Sequence, residues 1–300
     1  MKDQKKKIGF IGLGVMGKPM SLNLIKAGYF LMVFDINKDA VDEVLKAGAK
    51  QGNSPAEIGK NCDVIITMLP NSPEVEEVLT GENGVLQEAK AGSVVIDMSS
   101  ISPITAVRIH KTAALKGVEM LDAPVSGGEP KAIDGTLSIM VGGNETVFEE
   151  VKDILLSMGA SAILIGEIGS GNITKLANQI MVALHLAAMS EAMVFAEKAG
   201  VDVQKVYQAI RGGLAGSTVL DAKVPLILER NFKPGGPIRM HTKDLLNVRD
   251  TALEIDAPIP LTTQVMEVMK ALKADGKQED DHGGIIQYWE KLAHVEVRKK

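Results

Sequence analysis

The segment IGFIGLGVMGKPM (8–20) holds Gly12-x-Gly14-x-x-Gly17 between an apolar run and a helical one. In that setting the three glycines do different things. Gly12 permits a tight turn, Gly14 lets bare backbone approach a pyrophosphate, and Gly17 lets strand and helix close up. With Leu13, Val15 and Met16 between them, these residues read as the phosphate loop of a dinucleotide site rather than a simple turn. Asp35 ends the next apolar run, FLMVFD (30–35), 18 residues after Gly17. Its carboxylate can accept hydrogen bonds from ribose hydroxyls and would repel a 2′-phosphate, which favours NAD(H) over NADP(H). Lys38, three residues on, leaves NADP(H) possible, and Asp35 also suits a plain strand-end turn.

A second group of residues suits a small anionic substrate. Ser126, Gly127 and Gly128, after the run EMLDAPV (119–125), offer a hydroxyl and two bare amides that fit a carboxylate or an ordinary loop. Met68, Leu69 and Pro70 in MLPNSP (68–73), and Ser100 in MSSISP (98–103), follow two further apolar runs. They read either as loops around the nicotinamide half of a cofactor or as turns. In GSGNITKLANQ (169–179), Lys175 stands in or near the first turn of a long helical run. Positive potential from the helix-start amides should draw its pKa down and attract an anion such as a substrate carboxylate. Hydride delivered to a carbonyl leaves charge on oxygen, and Lys175 can protonate or stabilise it. Asn178 and Gln179, at i+3 and i+4, share its side of the helix, so Asn178 can orient the lysine or hold a substrate hydroxyl. Lys243 and Asp244, at the start of a helix in HTKDLLN (241–247), suit a cofactor cap or a surface ion pair equally. His185 lies within an apolar run and reads as a core histidine, and Trp289 as a packing or subunit-contact anchor. Five scattered histidines and one cysteine make no metal-ligand spacing.

The elements that must position these groups fall into two halves. Strands are expected at 7–13, 30–35, 63–69, 93–99, 119–125, 137–143 and 161–166, alternating with helical stretches that close on glycine. Such near-continuous apolar runs predict a doubly wound, mostly parallel α/β sheet. Beyond it the pattern is helical only, over 171–199, 202–212, 216–230, 241–255, 260–275 and 282–297. Two domains follow, a Rossmann domain at 7–166 and an all-α substrate and oligomerisation domain at 167–300. The first long helix, apolar nearly all round, is expected to be buried at their junction, where a cleft would form. A net charge of −5 gives no electrostatic case for nucleic acid or anionic membranes. Polar interruptions at Lys175, Asn178, Gln179, His185 and Glu191 leave no apolar stretch of about 18 residues to span a bilayer. MKDQKKK (1–7) reads as a solvated lead-in, and the lone Cys62, at a core edge, fits a reducing cytoplasm.

GFIGLGVMGKPMSLNL, DAPVSGGEPKAIDGTLSIMVGG, GSGNITKLANQ, AIRGGLAGSTVLDAK and HTKDL, in this order, resemble the β-hydroxyacid dehydrogenase family along essentially the whole chain. The resemblance implies a Rossmann domain, a long interdomain helix and an all-α C-terminal domain. It implies Lys175 as the catalytic lysine with Asn178 as helper, and Ser126, Gly127 and Gly128 as the substrate loop. Gly12, Gly14 and Gly17 match the family's fingerprint, and Lys243, beside Asp244, would approach the nicotinamide. Many NADP-preferring relatives carry Asn-Arg after the second strand, where this chain has Asp35-Ile36-Asn37-Lys38. The function expected is reversible, NADH-dependent reduction of tartronate semialdehyde to D-glycerate, with a 3-hydroxyisobutyrate or related short 3-hydroxyacid as the alternative. A homodimer or homotetramer is expected.

Overall fold

The computed structural model describes residues 6–233 and 235–300. The first five residues of the basic lead-in, and Pro234 of the glycine–proline break at 230–239, lie outside the described residues. The chain divides into two compact units, Met1–Lys175 and Leu176–Lys300.

In the first unit the described strands are β1 (Ile8–Ile11), β2 (Leu31–Phe34), β3 (Lys50–Gln51), β4 (Val64–Thr67), β5 (Val94–Asp97), β6 (Glu119–Asp122), β7 (Val125–Ser126), β8 (Leu137–Gly142) and β9 (Gly159–Gly166). They lie in the order β3-β2-β1-β4-β5-β6-β8-β7, with β9 on β8. From β3 to β6 every pairing is parallel, with Ile8 facing Leu31 on one side and Val64 on the other. β8 runs antiparallel to β6 and β7, which makes the sheet mixed at that end. Strand order reverses between β1 and β4, the place where open α/β sheets bind ligands beyond their carboxyl ends.

The apolar runs became central strands because both faces of the sheet are covered. Ile8 and Phe10 of β1 join Met20, Leu24, Val33 and Val44 on one face. Ile11 joins Ile58, Ile65, Val75 and Leu79 on the other. Each such side chain contributes roughly 1.5–3 kcal/mol on leaving water. Cys62 is fully buried in the second of these clusters, and burial pushes its thiol up to about 12.

Among the described residues the second unit is helical throughout. Helices Val203–Ile210, Thr218–Leu228, Ile238–Glu254, Pro260–Ala274 and Ile286–Ala293 gather with most of Ser170–Lys198 around Leu186, Met193, Val224, Leu245, Met269 and Ile286. Asp202 and Ser217 cap two of them, accepting hydrogen bonds from the amides of Gln204 and Leu220.

Several expectations are corrected. Ser170–Lys198 is long and apolar enough, by length and mean hydropathy, to count as a candidate membrane span, which the interruptions were expected to prevent. Its Leu176, Ala183, Leu186, Met189 and Met193 instead enter the core of the second unit. The helix is not buried all round either, since Ile173, Met181 and Phe195 are exposed. His185 is half-buried and not a core residue. The helix expected to start at 241 starts at Ile238, so Lys243 and Asp244 lie beyond its first turn.

Candidate active site

The glycine segment follows β1 and enters the helix Gly17–Lys26. Gly12 adopts a φ of +98°, and a Cβ there would stand 2.3 Å from the carbonyl oxygen of Met68, so the turn packs directly on the loop after β4. A Cβ on Gly17 would stand 1.9 Å from the carbonyl oxygen of Gly12. Gly14 differs, being exposed with no atom within 4 Å of a Cβ position. The helix it leads into has no side-chain cap and no acid in its first turn. Open space beside bare glycine and an uncapped helix start suits the pyrophosphate of a dinucleotide.

Asp35 follows β2, and Asp97 and Asp122 end the adjacent strands β5 and β6; each carboxylate holds backbone at the carboxyl edge of the sheet. Asp35, just after β2, accepts the amide of Leu13 at 2.5 Å and that of Asn37 at 2.7 Å. It therefore tethers the glycine loop. Asn37 caps the next helix, accepting from Asp39 and Ala40. Asp97, the last residue of β5, is fully buried, and burial pushes its carboxyl up to about 6 against hydrogen bonds from Ser99 and Thr67. Thr67 Oγ1 donates to it at 2.8 Å, and Ser99 Oγ accepts the amide of Leu69 at 2.9 Å. The loops carrying Met68, Leu69, Pro70 and Ser100 are thus knitted together beneath their tips.

Asp122, the register partner of Asp97, ends β6. Its Oδ1 accepts the amide of Gly169 at 2.7 Å, and its Oδ2 accepts the amide of Asn172 at 2.7 Å and its Nδ2 at 3.2 Å. Burial raises its pKa, and the amides of Asn172 and Gly169 oppose that rise. Four residues on, Ser126 is half-buried while Gly127 and Gly128, at φ of +139° and +69°, are exposed.

Lys175 is the sixth residue of Ser170–Lys198 and only 8% exposed. This corrects the argument from a helix-start position. The terminal potential fades after the first turn, and amides at that end already face the carboxylate of Asp122. A substrate carboxylate is therefore better sought at Ser126, Gly127 and Gly128.

In the second unit Asn178 Nδ2 donates to Gln179 Oε1 at 2.9 Å, and Gln179 Nε2 donates to Asp244 Oδ2 at 2.6 Å. Lys243 Nζ pairs with Asp244 Oδ1 at 2.6 Å. Asn178 so joins Lys243 and Asp244, a pair distant in sequence, in one network through Gln179. His241 packs beside it, its Nε2 3.2 Å from the carbonyl oxygen of Gln179. Sequence reasoning misses Asp97, Asp122, Asn172 and Gln179 as organising residues. The repeated Asp at the end of an apolar run, in FLMVFD, VVID and EMLD, is the signal that could have found the first two. Among the described residues no three His, Cys, Asp or Glu side chains gather to hold a metal ion.

Residues 7–166 match the NAD binding domain of 6-phosphogluconate dehydrogenase, and residues 169–289 match the NAD-binding family of NADP-dependent 3-hydroxyisobutyrate dehydrogenase. The 2-hydroxy-3-oxopropionate reductase of Escherichia coli is 43% identical over 288 residues, covering 96% of this chain and 98% of that one. The chain belongs to the β-hydroxyacid dehydrogenase family. Among other relatives, the 2-(hydroxymethyl)glutarate dehydrogenase of Eubacterium barkeri is 36% identical, covering 97% of each chain. The Mycobacterium tuberculosis 3-hydroxyisobutyrate dehydrogenase solved with L-serine superposes at a TM-score of 0.89 with 32% identity, over 95% of this chain and 99% of that one. As a β-hydroxyacid dehydrogenase the protein is an NAD(P)-dependent oxidoreductase with a small-molecule substrate. Its fold is the expected Rossmann-like α/β domain followed by a helical one.

Proposed function

We propose that the enzyme interconverts tartronate semialdehyde and D-glycerate, using NADH in preference to NADPH. The observation that carries this reading is that one buried carboxylate, Asp122, sits at the root of the Ser126–Gly128 loop and also holds the start of the lysine-bearing helix. An anion-binding loop and a buried ammonium group therefore share an anchor at the carboxyl edge of a dinucleotide-binding sheet. The name of the Escherichia coli relative supports the choice of substrate.

In this reading the amides of Gly14 to Gly17 hold the pyrophosphate and Asp35 the adenosine ribose. Loops 68–70 and 98–101 serve the nicotinamide half of the cofactor, and Lys243 with Asp244 contribute to cofactor binding. The bound nicotinamide supplies the hydride for reduction and takes it up in oxidation. Ser126 Oγ and the amides of Gly127 and Gly128 bind the substrate carboxylate. Lys175 Nζ gives a proton to the carbonyl oxygen as it becomes a hydroxyl, and receives it in the reverse direction. Asn178, one turn on, orients the reacting groups.

The division of labour follows residues 7–166 for the cofactor and 167–300 for substrate and subunit contacts. A homodimer or homotetramer is supported by the exposed Phe195, Leu214 and Leu253 of the second unit. A reducing cytoplasm is supported by the single thiol, Cys62. Oxidation of 3-hydroxyisobutyrate is the second reading, supported by the bovine 3-hydroxyisobutyrate dehydrogenase, which is 34% identical. Steady-state kinetics on tartronate, methylmalonate and succinate semialdehydes, each with NADH and NADPH, separate the two. The highest kcat/KM is expected for tartronate semialdehyde with NADH, and a higher value for methylmalonate semialdehyde would overturn the assignment.

A further inference from the structure

The carboxylate of Asp122 accepts from three N–H donors. Two are backbone amides, of Gly169 and Asn172, each at 2.7 Å, and the third is Asn172 Nδ2 at 3.2 Å. The side chain is fully buried. The partner amides lie 47 and 50 residues away in sequence, at the very start of Ser170–Lys198. Close packing is built in at this joint. A Cβ on Gly142 would stand 2.3 Å from Asp122 Oδ1, and one on Gly171 would stand 2.5 Å from the carbonyl oxygens of both Asp122 and Met140. Two glycines thus let the helix start seat on the carboxylate and on the strand ends. The other side of the joint reaches the loop after β5, where Asn172 Oδ1 accepts the amide of Ile101 at 3.1 Å. Lys175 follows Asn172 by three residues, roughly 4.5 Å of helix rise.

From this geometry we infer that Asp122, with Asn172 as its bridge, is the positioning residue for Lys175. It fixes where the ammonium group stands relative to the Ser126–Gly128 loop and the loop after β5. The inference rests on the proton-donor role proposed for Lys175. Asp122 itself touches neither substrate nor cofactor. It acts because a helix seated at its first turn carries its second turn with it. An asparagine at 122 keeps the shape but turns one acceptor into an NH2 group facing an N–H donor. The helix start must then shift, and misplacement of about 1 Å at a reacting group costs on the order of a hundredfold in rate.

The test is a double-mutant cycle on the full chain, comparing wild type, Asp122→Asn, Lys175→Ala and the double variant. The readouts are kcat on saturating tartronate semialdehyde, the Kd for NADH by fluorescence, and thermal melting. Asp122→Asn is expected to lose about thirtyfold or more in kcat with NADH affinity within about threefold of wild type. In the Lys175→Ala background it is expected to cost nothing further, because the group it positions is gone. A full additional loss there, or a kcat for Asp122→Asn close to wild type, overturns the inference. If Asp122→Asn fails to fold, the same cycle is read with Asn172→Ala, which keeps both backbone caps and is expected to lose about tenfold. A wild-type kcat for Lys175→Ala alone is a different failure, since it removes the proton-donor reading and leaves nothing for Asp122 to position.

Discussion

Alanine at Gly14 and at Gly17 should fail in opposite ways, though the two glycines stand three residues apart in one loop. At Gly17 the new methyl carbon would sit 1.9 Å from the carbonyl oxygen and 2.9 Å from the carbonyl carbon of Gly12. Gly12 is itself held between β1 and the Met68 carbonyl, with its amide donating to Phe34 at 3.0 Å. Ordinary carbon–oxygen contact needs well over an ångström more, and backbone on both sides prevents a local side-chain escape. Overpacking a core typically costs 1–3 kcal/mol, so about 3 kcal/mol is a reasonable magnitude here. For a unit of this size that corresponds to a fall in melting temperature of about 6–12 °C. At Gly14 nothing lies within 4 Å and φ is not positive, so the methyl group costs the fold nothing, and the restricted unfolded chain gains about 0.4–1 kcal/mol of stability. The same methyl group stands where the pyrophosphate must approach, and NADH affinity should fall about 10–100-fold, or about 1.4–2.7 kcal/mol. Thermal melting and NADH fluorescence titration on both variants decide the matter. Wild-type NADH affinity in Gly14→Ala, or an unchanged melt in Gly17→Ala, would refute the division of roles.

Replacing Asp35 by Asn together with Lys38 by Arg should raise the NADPH-to-NADH ratio of kcat/KM at least about tenfold. The melt should also fall, because the amides of Leu13 and Asn37 lose a charged acceptor. Cys62, its thiol pushed up to about 12 by burial, should resist a thiol reagent at pH 8 in the native enzyme and react at once in denaturant. Asp97, raised by burial to about 6, favours the folded state most when protonated, and that contribution fades as pH rises through 6. The stability of Asp97→Asn relative to wild type should therefore increase between about pH 4 and 6 in chemical denaturation, and a flat difference would refute the assignment.

What could be read from the sequence divides along a physical line. The tight turn at Gly12, the close packing at Gly17 and the central strands were legible because local backbone demands and burial on both faces select residue types directly. The two-residue β3, Lys50–Gln51, is exposed and polar, and its pairing to β2 alone makes it a strand. β7, Val125–Ser126, is likewise created by its antiparallel partner β8. The start of Ser170–Lys198 was legible from its glycines, but the carboxylate that holds it, Asp122, lies about fifty residues upstream, and no neighbouring residue marks that contact. The helix expected from 171 begins one residue earlier, at Ser170, which makes Lys175 its sixth residue. Gln179 was legible as a neighbour of Lys175 but not as the hub joining Asn178 to Asp244, since that contact spans 65 residues.

The proton from Lys175 is the step on which the proposed chemistry depends most, and single-turnover oxidation of NADH by Lys175→Ala on tartronate semialdehyde measures it. With melting temperature and NADH affinity unchanged, the rate is predicted to fall by about 10²–10⁴. A folded, NADH-binding variant that turns over at the wild-type rate would contradict it.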